Sequence, residues 1–141
     1  MIRFELVTLD GTKFGEDVHE VVLPTPDGYI AVFLEHMPLV TLASPGVISI
    51  RRRAGDPDSR LEYYATNGGV IEIGNNRVRV LVDEADHENE INEQEARKAF
   101  ENAQRLHRES RDRMSLEHAQ SLVDRQASRL KVAELRRHKR R

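Results

Sequence analysis

Gly68-Gly-Val-Ile-Glu-Ile-Gly-Asn-Asn-Arg-Val-Arg-Val-Leu-Val82 and, further on, Ile91-Asn-Glu-Gln-Glu-Ala-Arg-Lys-Ala-Phe-Glu-Asn-Ala-Gln-Arg-Leu106 follow two different periods. In the first stretch Val78, Val80 and Val82 recur at every second position, the pattern of a half-buried strand, and Gly74-Asn-Asn76 links it to the run before. In the second, Ala96, Ala99, Phe100, Ala103 and Leu106 recur at steps of three and four and make one narrow helical stripe. The change of period divides the chain into a β-rich part and a helical part.

Upstream, Phe4, Leu6 and Thr8 alternate with charged neighbours, and Asp10-Gly11 supplies a hairpin turn with positive φ. Val18, Val21, Val22 and Leu23 continue the sheet to Pro24 and Pro26, which are expected to end it because proline cannot donate to a ladder. Tyr29 to Phe33 and Leu39 to Leu42 are short apolar runs on either side of the loop Leu34 to Pro38. Strands are expected again at Val47 to Ile50 and at Leu61 to Thr66, separated by the turn chemistry of Ala54 to Asp58. About eight to ten short strands over positions 1–84, with no βαβ alternation, predict an antiparallel sandwich or flattened barrel.

Downstream, Ser110 to Met114 break the helical pattern. Ser115 is read as the N-cap of a second helix with Leu116, Ala119, Leu122, Val123, Ala127, Leu130 and Ala133 on one face. The whole is an α+β chain: sandwich over 1–84, linker over 85–90 and an αα-hairpin over 91–141. The hairpin's stripes are small and rich in alanine, so it is expected to be held marginally and to be able to move.

Cysteine is absent, which excludes thiolate chemistry, disulfides and Cys-based zinc sites. No apolar run approaches the ~20 residues of a spanning helix, so membrane association is expected to be peripheral. The net charge of −2 conceals a split: positions 1–84 carry −5 and positions 85–141 carry +3, which suggests two parts with different partners. The six histidines show no metal-ligand spacing, and neither a nucleophile elbow nor a P-loop occurs, so binding is favoured over catalysis and neither cofactor nor metal is expected. Gly68-Gly69 is read as a strand bend rather than a phosphate cradle, since no helix follows it. Arg136-Arg-His-Lys-Arg-Arg141 is read as a solvated end, a protein contact, or a polyanion-binding tail.

The order of the motifs resembles the epsilon subunit of F-type ATP synthases, of bacterial type. Val21-Val-Leu-Pro24, Gly28-Tyr-Ile-Ala-Val-Phe-Leu-Glu-His-Met-Pro-Leu39, Pro45-Gly-Val-Ile-Ser-Ile50, Gly68-Gly-Val-Ile-Glu-Ile73 and Val80-Leu-Val-Asp-Glu-Ala85 stand where that family has similar elements. The resemblance implies a rotor subunit at the cytoplasmic face of the bacterial inner membrane. Its sandwich would bind gamma, its loops would rest on the membrane ring, and its helices would reach the alpha/beta head and restrain ATP hydrolysis. It also implies ring contact at Tyr29, Ile30, Glu35, His36 and Met37, with Glu35 providing the acidic group from a shifted position. Arg125, Arg129, Arg136 and Arg137 become candidates for docking on the head. The family's nucleotide motif falls on Ile91, Asn92, Glu95 and Ala96, where its aspartate and arginine are replaced, and weak or absent ATP binding follows. The rival reading is a free-standing binding module whose basic tail takes nucleic acid; the resemblance favours protein partners and no nucleic acid.

Overall fold

The computed structural model describes residues 1–139. Ten strands form two five-stranded sheets stacked as a sandwich, and two helices follow. The strands are β1 (Ile2–Thr8), β2 (Gly11–Val18), β3 (Glu20–Thr25), β4 (Gly28–Val32) and β5 (Leu39–Ala43), then β6 (Gly46–Arg51), β7 (Glu62–Thr66), β8 (Gly69–Gly74), β9 (Arg77–Val82) and β10 (Ala85–His87). The first sheet has the order β2-β1-β9-β8-β5 and the second β10-β7-β6-β3-β4. All pairings are antiparallel except β1 with β9. Between the sheets Phe4, Leu6, Leu23, Ile48, Ile50, Ile71, Val78 and Val80 are fully buried, the inward half of each two-residue period.

Local chemistry fixes the turns. Asn75 (φ 51) and Asn76 (φ 58) form the two-residue β8–β9 loop, and two successive positive φ values suit asparagine and match the twist of a hairpin. Gly69 has no room for a side chain: a Cβ there would lie 2.0 Å from the carbonyl oxygen of Leu81. The bend at Gly68-Gly69 is therefore a close backbone approach.

Three expectations are corrected. Pro24 lies inside β3, paired with Tyr29; β6 accompanies β3 only from Glu20 to Val22, so one edge is open to a residue without an N–H. The expected linker 85–90 is strand β10, paired with β7 over Thr66 to Tyr64, then a 3-10 turn at Glu88–Glu90 capped by His87. Its polar sequence conceals a strand because only three residues join the ladder. The second helix is capped by Asp112 rather than Ser115, because a carboxylate one turn earlier reaches the free amide. The Ser115 N–H donates to that carboxylate at 2.8 Å.

Helices α1 (Glu93–Glu109) and α2 (Arg113–Lys139) form the expected antiparallel hairpin. α2 is the middle layer, with α1 on one side and strands β6 and β7 on the other. Two neighbours mean that its buried residues do not follow one stripe. Ala119, Gln126, Ser128, Val132 and Ala133 are buried, while Ala127, expected on the apolar face, is exposed. The seam with the sandwich is small, made by Val132, Ala133, Ile91 and Ala96 against Val47, Tyr63 and Ala65.

Candidate functional site

The β4–β5 connection passes from one sheet to the other across an end of the sandwich. Phe33 to His36 form a tight turn in which the His36 N–H donates to Phe33 O at 3.3 Å. Glu35 takes φ 64 in that turn, a value usual for glycine or asparagine. The Glu35 N–H donates to Asn76 Oδ1 (2.6 Å), so the β8–β9 turn holds the loop in place. His36 donates from Nδ1 to Met37 O (2.7 Å), and Phe33, Leu34 and Met37 are exposed beside it. Glu35, His36 and Met37 are thus brought together. Tyr29 is not with them: it lies three positions back from Val32, about 10 Å along β4. Its hydroxyl accepts the Val47 N–H. Ile30 is half-buried against the main core.

A surface that residue-by-residue reading missed lies on the outer face of the first sheet. Strand register aligns Leu42, Val70, Leu81 and Val7 in a row across β5, β8, β9 and β1. At the usual strand spacing the row is about 14 Å long. A parallel row holds Val40, Glu72, Arg79 and Glu5. Leu42 and Val40 are 60% and 73% exposed, and the helices lie on the other sheet. Arg77 donates to Glu5 at 2.5 Å. With Arg79 and Arg3 nearby, it holds that carboxyl below its usual range. Each outward apolar residue alternates with an inward one, so the strands read as core in sequence, and only the register reveals the row.

The four candidate arginines of α2 face carboxylates or carbonyls of this same chain. Arg125 Nε is 2.9 Å from Glu84, Arg129 Nε is 3.3 Å from Asp86, and Arg137 is 3.0 Å from Glu93. Arg136 donates to the carbonyls of Glu88 and Ile91. Of the basic terminal run, Arg140 and Arg141 lie outside the described residues.

The residues of the degenerate nucleotide motif have structural roles. Ile91 and Ala96 are buried in the helix–sandwich seam. The Asn92 side chain caps α1, as an N-terminal asparagine commonly does, by accepting the Glu95 N–H at 3.0 Å. Among the described residues no group of three metal-ligating side chains converges, and no helix is long and apolar enough to cross a membrane.

Residues 1–88 match the family model described as ATP synthase, Delta/Epsilon chain, beta-sandwich domain. Along nearly its whole length the chain is similar to proteins named ATP synthase epsilon chain. That of Moorella thermoacetica is 33% identical, over 94% of this chain and 96% of that one. That of Herpetosiphon aurantiacus is 32% identical over 98% of each. Among solved structures, a chain of the Euglena gracilis mitochondrial ATP synthase superposes with a TM-score of 0.77 at 20% identity, covering 90% of this chain and 78% of that one, a likeness of fold.

Proposed function

The chain belongs to the ATP synthase delta/epsilon family, and from that we propose that it is a non-catalytic central-stalk subunit of a proton-translocating F-type ATP synthase. It couples gamma to the membrane ring and regulates ATP hydrolysis through its C-terminal helices. It is peripheral, held at the cytoplasmic face of a bacterial inner membrane through the complex.

The observation that carries this reading is the uncovered row of Leu42, Val70, Leu81 and Val7 on the outer face of the first sheet. An apolar row rimmed by Glu72, Arg79 and Glu5 suits a lasting contact between subunits: apolar burial gives affinity and the charges fix orientation. Gamma is assigned to this face and the ring to the end bearing Glu35, His36 and Met37. The α2 arginines are assigned to the alpha/beta head. A nucleic-acid role is disfavoured, because the family match is to ATP synthase chains.

Substitution of Leu42 and Val70 by Asp tests the assignment in the assembled complex. Both side chains reach the outer face, so the isolated chain should fold, while copurification with gamma should fail. Retention of gamma by the folded double variant would show that the docking face lies elsewhere.

A further inference from the structure

Asn67-Gly68 joins β7 to β8, and Asn67 is the one asparagine of the chain that glycine follows directly. That neighbour makes an asparagine reactive: glycine has no side chain to shield its nitrogen, which can close a five-membered ring on the amide carbon. An attack within one chain gains greatly from proximity. In a strand the attacking N–H is held by the ladder, but Gly68 comes before the first pair of β8, which is Gly69 with Val82 on one side and with Ala43 on the other. The Gly68 N–H donates to the Thr66 hydroxyl at 3.3 Å, long for such a bond.

The tertiary structure adds a second feature. Among the described residues Asn67 Oδ1 is shut off from solvent and accepts no hydrogen bond, and the Nε groups of Arg125 and Arg129 are enclosed and donate none. All three residues line one cavity, too narrow to admit a water molecule between them. Glu84 and Asp86 line it as well, each already beside one of the arginines at 2.9 and 3.3 Å, so these four charges balance. An acceptor without donors therefore shares a closed space with two donors without acceptors. Ring closure makes the amide carbon tetrahedral and puts negative charge on Oδ1. Donors in place where charge develops, away from water, favour that step.

We propose that Asn67 is a self-modifying site whose ring closure is assisted by Arg125 and Arg129. The Gly68 nitrogen bonds to Cγ of Asn67 and loses its proton, the Cγ–Nδ2 bond breaks, and Nδ2 leaves with that proton as ammonia. Water then opens the succinimide at Cγ to give aspartate, or at the main-chain carbonyl to give isoaspartate. Water is the one co-reactant. Aspartate brings a carboxylate to the two enclosed Nε groups. Isoaspartate adds a methylene to the main chain just before Gly69, where a Cβ would lie 2.0 Å from the Leu81 carbonyl oxygen, so the start of β8 must shift on β9.

The folded chain, incubated at mildly alkaline pH, should release ammonia. Peptide mass mapping should find a gain of one mass unit at Asn67, while Asn75, Asn76, Asn89, Asn92 and Asn102 stay intact. Arg125→Lys with Arg129→Lys keeps both charges but removes both Nε groups, and should slow the reaction in the folded chain about tenfold. In urea the native and variant chains should react at the same rate, since the cavity is gone. Slow amide exchange in β9 shows that both are folded in buffer. Asn67→Gln, whose longer side chain closes a ring far less readily, should abolish the ammonia release, and release at the native rate would place its source elsewhere and overturn the site. Modification of Asn67 in urea but not in buffer overturns it too. Equal rates in the folded native and lysine chains overturn the assistance by the arginines.

Discussion

Lys139 Nζ lies 2.5 Å from Oε1 of Glu88, a pair 51 positions apart in sequence, and Glu88 is only 6% exposed. The other oxygen of Glu88 accepts the Tyr63 N–H at 2.9 Å, so one buried group joins β7, the 3-10 turn and the end of α2. Removing one partner of a buried pair strands the other. Glu88→Ala is expected to lower stability by about 3 kcal/mol. Glu88→Gln keeps an acceptor for Tyr63 and is expected to cost about half as much. Urea denaturation measures both, and equal stability of Glu88→Ala and the native chain would remove Glu88 from this role.

Gly69→Ala would drive a methyl group into the Leu81 carbonyl, which is backbone and cannot rotate away. Separation of β8 from β9 at this point should reduce stability by about 1–3 kcal/mol. Gly74, where a Cβ would meet nothing within 4 Å, is the matched control and should tolerate alanine. Denaturation midpoints compare the two.

Glu35 holds a left-handed backbone. A non-glycine residue adopts that conformation at a cost of about 1 kcal/mol, and such strain concentrates at functional positions. Glu35→Gly should therefore stabilise the isolated chain by up to about 1 kcal/mol. Glu35→Lys leaves stability near its native value yet should impair coupled ATP synthesis in the complex. Normal coupling with lysine present would exclude Glu35 from the ring contact.

Asp112 accepts hydrogen bonds from the Ser115 backbone and hydroxyl, and these hold its carboxyl below the ordinary aspartate range. A depressed folded-state pKa means that the cap is fully present above the unfolded value and is lost as pH falls through the folded one. The first turn of α2 should loosen below about pH 4, seen as faster exchange of the Ser115 amide. Asp112→Asn caps equally well without titrating and should abolish that pH dependence. If acid leaves the native amide protected, the cap does not depend on the charge.

ATP should show no saturable binding at sub-millimolar concentration by calorimetry. The Asn92 side chain is engaged in capping α1 through the Glu95 N–H, and Arg125 and Arg129 already face Glu84 and Asp86. A saturating isotherm would require those ion pairs to open for the nucleotide.

Sequence alone determined the two-part architecture. Val78, Val80 and Val82 can bury one face only as a strand, and Ala96, Phe100 and Ala103 can do so only as a helix. Motif order likewise identified the family before any contact was known. What tertiary structure decided is which surfaces remain open and which charges meet. Leu42, Val70, Leu81 and Val7 are dispersed along the chain and become one row only through strand register. Glu84 and Arg125, remote in sequence, meet because α2 packs across β7 and β6 and the chain entering β10 pairs along β7. Local periodicity records which face of an element is apolar, but long-range pairing places each face against protein or against water.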